Sequence, residues 1–157
     1  MKTAICPGSF DPITTGHIDI FRRAASMFDR VTVLVVQNAA KTPRFSLEER
    51  CALIRASLAD VANVTVDSFD GMTTDYTKAH NIDAIVKGVR NTADFEYETA
   101  IAAVLRSFGG PETVLLPCRP EFAHISTSTA MHLYTLGQDV SAYLPAPVIA
   151  ALEAKRS

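Results

Sequence analysis

Residues 3–36 read TAICPGSFDPITTGHIDIFRRAASMFDRVTVLVV, and three patterns follow one another in that stretch. Residues 3–6 are a short run of strand character. Ile18, Phe21, Ala25 and Phe28 then recur at helical spacing, and residues 31–36 form the nearly unbroken β-branched run expected of a strand buried on both faces of a sheet. A strand, a helix and a second strand in one short span make a crossover unit, which joins parallel strands.

The alternation continues outward from this unit. Ser46 and Glu49 form a capping box ahead of the apolar stripe Leu47, Cys51, Ile54 and Leu58. Residues 64–66 read as a third strand, 74–80 as a short helix and 84–86 as a fourth strand. Tyr97, Ile101, Val104, Leu105 and Phe108 mark a longer helix closed by Gly109 and Gly110, followed by a fifth strand at 113–116 and helical patterns at 126–136 and 147–155. The expected fold is α/β, a doubly wound five-stranded parallel sheet with C-terminal helices. No repeat, linker or low-complexity stretch interrupts it, so residues 1–157 read as a single domain.

Of the 157 residues 48% are apolar, enough for a core that needs no disulfide or metal staple. Lys plus Arg number 15 against 17 Asp plus Glu, and a formal net charge of −2 argues against nucleic-acid or anionic-membrane partners. No apolar stretch has membrane-spanning length, and Pro7, Gly8 and Asp11 interrupt the apolar start, so a cytoplasmic protein is expected. Cys6, Cys51 and Cys118 are far apart and form no CxxC pair, which predicts three reduced, buried thiols.

Ligands of such a sheet bind beyond the carboxyl ends of its strands, so the residues following each strand form one set. That set contains Gly8, Ser9, Gly16 and His17, then Lys41, then residues 70–73, then Lys87, Gly88, Val89 and Arg90, and last residues 119–128. Three cations, glycines that allow close approach and a Ser/Thr cluster at a helix start suit a bound phosphate. Neither GxGxxG nor GxxxxGK(S/T) occurs, which counts against a dinucleotide dehydrogenase and a P-loop ATPase.

GSFDPITTGH at 8–17 resembles the (T/S)FDPxTxGH signature of the nucleotidyltransferase superfamily, in particular of bacterial phosphopantetheine adenylyltransferase. KTPRFSLEER at 41–50, KGVRNTADFEYE at 87–98 and FAHISTS at 122–128 are similar to other segments of that family, in order and spacing. The resemblance implies a Rossmann-like nucleotidyltransferase fold. It also implies transfer of the adenylyl group of ATP, with Mg2+, to 4'-phosphopantetheine, giving dephospho-CoA and pyrophosphate in coenzyme A biosynthesis. By position, His17 would stabilise the transition state at the α-phosphate, with Lys41 and Arg90 as catalytic cations. ATP would meet Ser9, Phe10, His17, Gly88, Val89, Arg90, Glu98, Phe122, Ala123, His124, Ile125, Ser126, Thr127 and Ser128. The acceptor would meet Ser9, Lys41 and Lys87 with its phosphate and Thr73 with its pantetheine arm. A homohexamer and feedback inhibition by CoA are implied in the same way.

Lys87 stands where the family usually has Arg, which removes a bidentate fork. The second signature, commonly ISS(S/T)xx(R/K)E, here reads ISTSTAMH, with Met131 for the usual cation and His132 for the usual acid. Residue 131 is expected near the leaving pyrophosphate, with Arg90 and Arg119 carrying the β- and γ-phosphates. A related transferase using nicotinate mononucleotide or glycerol phosphate is one alternative, against which Thr14 argues, since those relatives usually have HxGH. An ATP-binding sensor without chemistry is another, and pyrophosphate release separates it from both transferases.

Overall fold

The computed structural model describes residues 1–37 and 42–156. Five strands, β1 (Thr3–Gly8), β2 (Arg30–Val36), β3 (Val64–Phe69), β4 (Ala84–Val89) and β5 (Glu112–Pro117), form one sheet in the order β3-β2-β1-β4-β5, with every pair parallel. Helices α1 (Thr15–Met27), α2 (Leu47–Ser57), α3 (Thr73–Ala79) and α4 (Thr92–Ser107) make the crossovers. A 3-10 turn (Pro120–Phe122), α5 (Thr127–Thr135) and α6 (Ala146–Arg156) complete the chain. The doubly wound sheet matches the sequence reading, while β1, β3 and β4 run two or three residues further than periodicity suggested.

Sequence choices at the helix ends account for these boundaries. The Ser46 side chain accepts from the Glu49 amide while Glu49 accepts from the Ser46 amide, so α2 starts with the predicted capping box. Asn91 caps α4 and Ser126 caps α5, each accepting from the amide three residues on. α4 ends at Gly109, whose φ of 78° lies in the left-handed region that glycine adopts without cost.

The sheet is covered unequally. On one face α1, α2, α5 and α6 bury Phe21, Ala24, Ile54, Ala130, Met131, Val148 and Leu152 against Val31, Val33, Val35 and Val86. On the other, the buried apolar cluster beneath α3 and α4 is small, consisting of Ile5, Leu34, Tyr76 and Ile85. α4 buries none of its residues completely, and its expected apolar stripe faces outward, with Tyr97 65%, Val104 49% and Phe108 54% exposed. Helical periodicity does not distinguish a core face from such a surface. Cys6 and Cys51 are buried as expected; Cys118 is only half-buried, which corrects that part of the sequence reading.

The functional feature of this topology lies between β1 and β4, where the winding reverses. Their pairing covers only Ala4 with Ala84 and Ile5 with Ile85, although β1 continues to Gly8 and β4 to Val89. Their carboxyl ends therefore splay at the switch point, where ligands bind in sheets of this class.

Candidate active site

The splayed strand ends open into a cavity of about 410 Å³ whose floor is Cys6, Pro7, Gly8, Val86, Lys87 and Gly88. Of the residues expected to bind nucleotide it gathers Ser9, Phe10, His17, Gly88, Arg90, Glu98, Phe122, Ile125, Ser126 and Thr127. Lys87, expected to take acceptor phosphate, lines the same wall. Val89, Ala123 and His124 flank this cavity without lining it, and Ser128 lines a second one. Thr73 starts α3 and lines a third, mostly apolar space of 140 Å³ that shares Pro7, Gly8, Lys87 and Glu98 with the first. Lys41 lies outside the described residues.

The loop after β1 is shaped by its aromatic residue. Phe10 adopts a φ of 46° and folds its ring back over Gly8, where an added Cβ would stand 2.6 Å from the ring. Phe10 is thus largely buried, meeting His17 and Phe21 edge-on at centroid distances of 5.1 and 5.2 Å. Gly16 differs: a Cβ there would meet protein atoms only at 3.6 Å or more. Packing does not require glycine at 16, whereas close approach of a ligand in the cavity it lines would.

His17 sits at the third position of α1 and completes a capping box with Thr14. The Thr14 hydroxyl accepts from the His17 amide at 3.3 Å, and the Thr14 amide donates to His17 Nδ1 at 3.0 Å. Because Nδ1 accepts, the proton of the neutral ring is on Nε2, which becomes a donor. Burial, with the positive charges of Lys87 and Arg90, lowers the His17 pKa to about 4. The ring is therefore neutral at physiological pH. One arrangement caps the helix and makes Nε2 the donor.

Both cations of this cavity are held by carboxylates on α4. Lys87 Nζ lies 3.3 Å from Glu98 and donates to the Pro7 carbonyl at 3.3 Å, spanning the gap between β4 and β1. Arg90 makes a bidentate pair with Asp94, Nε to Oδ2 at 2.8 Å and Nη2 to Oδ1 at 3.2 Å, and Nη1 donates to the Ile125 carbonyl at 3.2 Å. Asp94 was missed in the sequence, although the i,i+4 spacing from Arg90 was visible. The same hydrogen bonds hold the Asp94 carboxyl below its ordinary pKa. Arg119 pairs with buried Asp19 at 3.3 Å and does not line the cavity, so the expectation that it carries phosphate finds no support.

Met131 belongs to both the core and the cleft. Only 6% exposed, it packs in the main core and touches the second cavity from below, so a residue there is not presented to solvent at the helix start. That second cavity, of about 620 Å³, adjoins the first through Ser9 and Thr127, and Arg44 and Arg50 line it. Among the described residues, no group of three His, Cys, Asp or Glu is arranged to hold a metal ion.

The cytidylyltransferase-like family model matches residues 5–130, which spans β1 through most of the described site. Curated relatives named phosphopantetheine adenylyltransferase are 46% identical in Corynebacterium diphtheriae (99% of this chain, 98% of the relative) and 44% identical in Shouchella clausii (98% and 97%). One from Streptomyces coelicolor is 45% identical over 97% of this chain and 96% of its own length. A Vibrio parahaemolyticus crystal structure described as a nicotinate-nucleotide adenylyltransferase superposes with a TM-score of 0.67 at 22% identity, covering 97% of this chain and 99% of that one. At that identity the likeness concerns the fold.

Proposed function

The chain belongs to the phosphopantetheine adenylyltransferase family of cytidylyltransferase-like proteins, and from that premise we propose how its cleft works. The activity is that of the family: the adenylyl group of ATP passes to 4'-phosphopantetheine, giving dephospho-CoA and pyrophosphate. An oxygen of the acceptor phosphate attacks the α-phosphorus, the bond from that phosphorus to the bridging oxygen breaks, and pyrophosphate leaves with the electron pair. A phosphate monoester has a second pKa of about 6 and is mostly a dianion at neutral pH, so no general base is needed. The protein instead aligns the reactants and stabilises charge.

The observation that carries this reading is the neutral His17 ring with its Nε2 donor, set in a cavity whose rim holds Lys87 and Arg90. His17 donates to the α-phosphate oxygens as negative charge builds on them, without a proton changing hands. Ile20, Phe21, Phe122 and Ile125 give the same cavity an apolar wall suited to a purine. Lys87 stands at the junction with the third space, where Thr73, Ile101 and Leu105 suit the acceptor's arm behind its phosphate. Lys41, which the family motif assigns to the acceptor phosphate, lies outside the described residues. Val89, Ala123 and His124 act by backbone placement beside the nucleotide. Mg2+ would arrive with ATP and would supply charge neutralisation to its phosphates.

A homohexamer is supported by the outward stripe on α4, which a second copy would cover. No described helix is long and apolar enough to cross a membrane. CoA, which carries the acceptor's arm, would compete for the same spaces. The test is incubation with MgATP and a panel of acceptors, following pyrophosphate and weighing the product. Phosphopantetheine alone should turn over; turnover of a mononucleotide instead would overturn the substrate assignment, and binding without pyrophosphate would favour the sensor.

A further inference from the structure

The second cavity contains a buried cation that forms no ion pair among the described residues. Arg50 is 3% exposed and donates only to backbone carbonyls, Nη1 to Ser9 at 2.8 Å and Nε to Ser46 at 3.4 Å. Arg44, exposed on the facing loop, makes no side-chain hydrogen bond, and neither arginine forms an ion pair among the described residues. A guanidinium withdrawn from water and left without a carboxylate favours an anion. Two carboxylates also line this space. Asp11 is occupied by the Arg44 and Phe45 amides at 2.7 and 2.9 Å, which leaves Asp70. An anion that brings a divalent cation satisfies Asp70 and the arginines together.

The relation of the three spaces identifies that anion. The first meets the third at Lys87 and Glu98, and meets the second at Ser9 and Thr127, while the second and third share no residue. In-line displacement at phosphorus places the entering and leaving oxygens on opposite sides. With the acceptor entering from the third space, the leaving group departs toward the second. Resting on the proposed function, we infer that the second cavity receives the magnesium pyrophosphate released from ATP, with Arg44 and Arg50 as its cationic holders. Arg44 then supplies from a loop the charge that Met131, in the wall of the same cavity, does not.

The test uses the full chain and its Arg44→Ala and Arg50→Lys variants. Inorganic pyrophosphate in MgCl2 is titrated calorimetrically into each, and the reverse reaction is run to obtain KM for pyrophosphate and for dephospho-CoA. Arg44→Ala should weaken pyrophosphate about tenfold or more, as for loss of a charge-assisted hydrogen bond, with KM for dephospho-CoA and phosphopantetheine unchanged. Arg50→Lys should weaken it in the same direction by removing the fork. Arg44 is exposed, so its variant folds even if the Arg50 variant does not. Weakened phosphopantetheine with unchanged pyrophosphate would give the cavity to the acceptor, and no change in either would make Arg44 a solvated charge; both overturn the inference. Should the wild type form no dephospho-CoA, the function fails by itself, and the calorimetric arm still decides the cavity.

Discussion

The first and second cavities share Ser9 and Thr127 but treat their cations in opposite ways. In the first, Lys87 and Arg90 are each fixed by a carboxylate of α4; in the second, Arg44 and Arg50 form no ion pair among the described residues. A paired cation keeps its direction and much of its charge is already answered, so it orients a group better than it attracts one. An unpaired cation attracts. On the proposed function, the first cavity aligns the reacting phosphorus, and the second captures and releases a mobile polyanion. Substitutions in the first should therefore act on kcat, and those in the second on the affinity for pyrophosphate and ATP.

The largest effect is expected at His17. His17→Ala should lower kcat on the order of 100 to 1,000-fold, the usual cost of losing one donor to developing charge, with little change in either KM. An unchanged kcat would reduce His17 to a capping residue and end the distinction between the cavities. Asp94→Asn comes next. Releasing the Arg90 fork should lower kcat about tenfold, the cost of a lost charge-assisted hydrogen bond, while KM for ATP stays within a small factor. If steady-state kinetics instead show KM alone moving, paired cations bind rather than align.

A smaller effect is expected in pH dependence. The folded His17 pKa, about 4, lies below the usual value near 6.5, so the unfolded chain takes the proton first. Its contribution to stability is complete above about pH 6.5 and is lost as pH falls toward 4. Chemical denaturation of His17→Gln should lack that part of the acid slope. Because His17 stays neutral throughout, the acid limb of kcat/KM should follow the acceptor phosphate near pH 6. A limb that survives replacement of the acceptor by one with a different phosphate pKa would put the titrating group on the protein.

Much of the fold was legible because each local signal agreed with the whole: β-branched runs, the Ser46–Glu49 box and the terminal glycines all point to one winding. The residues of the cleft were legible because a switch point gathers the residues that follow each strand. Three things were not. Thr14 and His17 do not read as a capping box, since histidine stands in for the usual acid, yet that bond selects the tautomer. The α4 stripe has the period of a core helix but faces outward, because period alone carries no information about which neighbour covers it. Arg50 carries no signal of its own in the sequence, and only its burial and the approach of the Ser9 carbonyl reveal it as a cation in a cavity wall.

Adenylyl transfer requires attack at the α-phosphorus, with pyrophosphate leaving as one unit. ATP labelled at either its α- or its γ-phosphorus, supplied with phosphopantetheine, distinguishes this attack from any other once both products are identified. The α-label should appear wholly in dephospho-CoA and the γ-label wholly in pyrophosphate. Label from the γ-phosphorus on the acceptor, or release of inorganic phosphate in place of pyrophosphate, would contradict attack at the α-phosphorus.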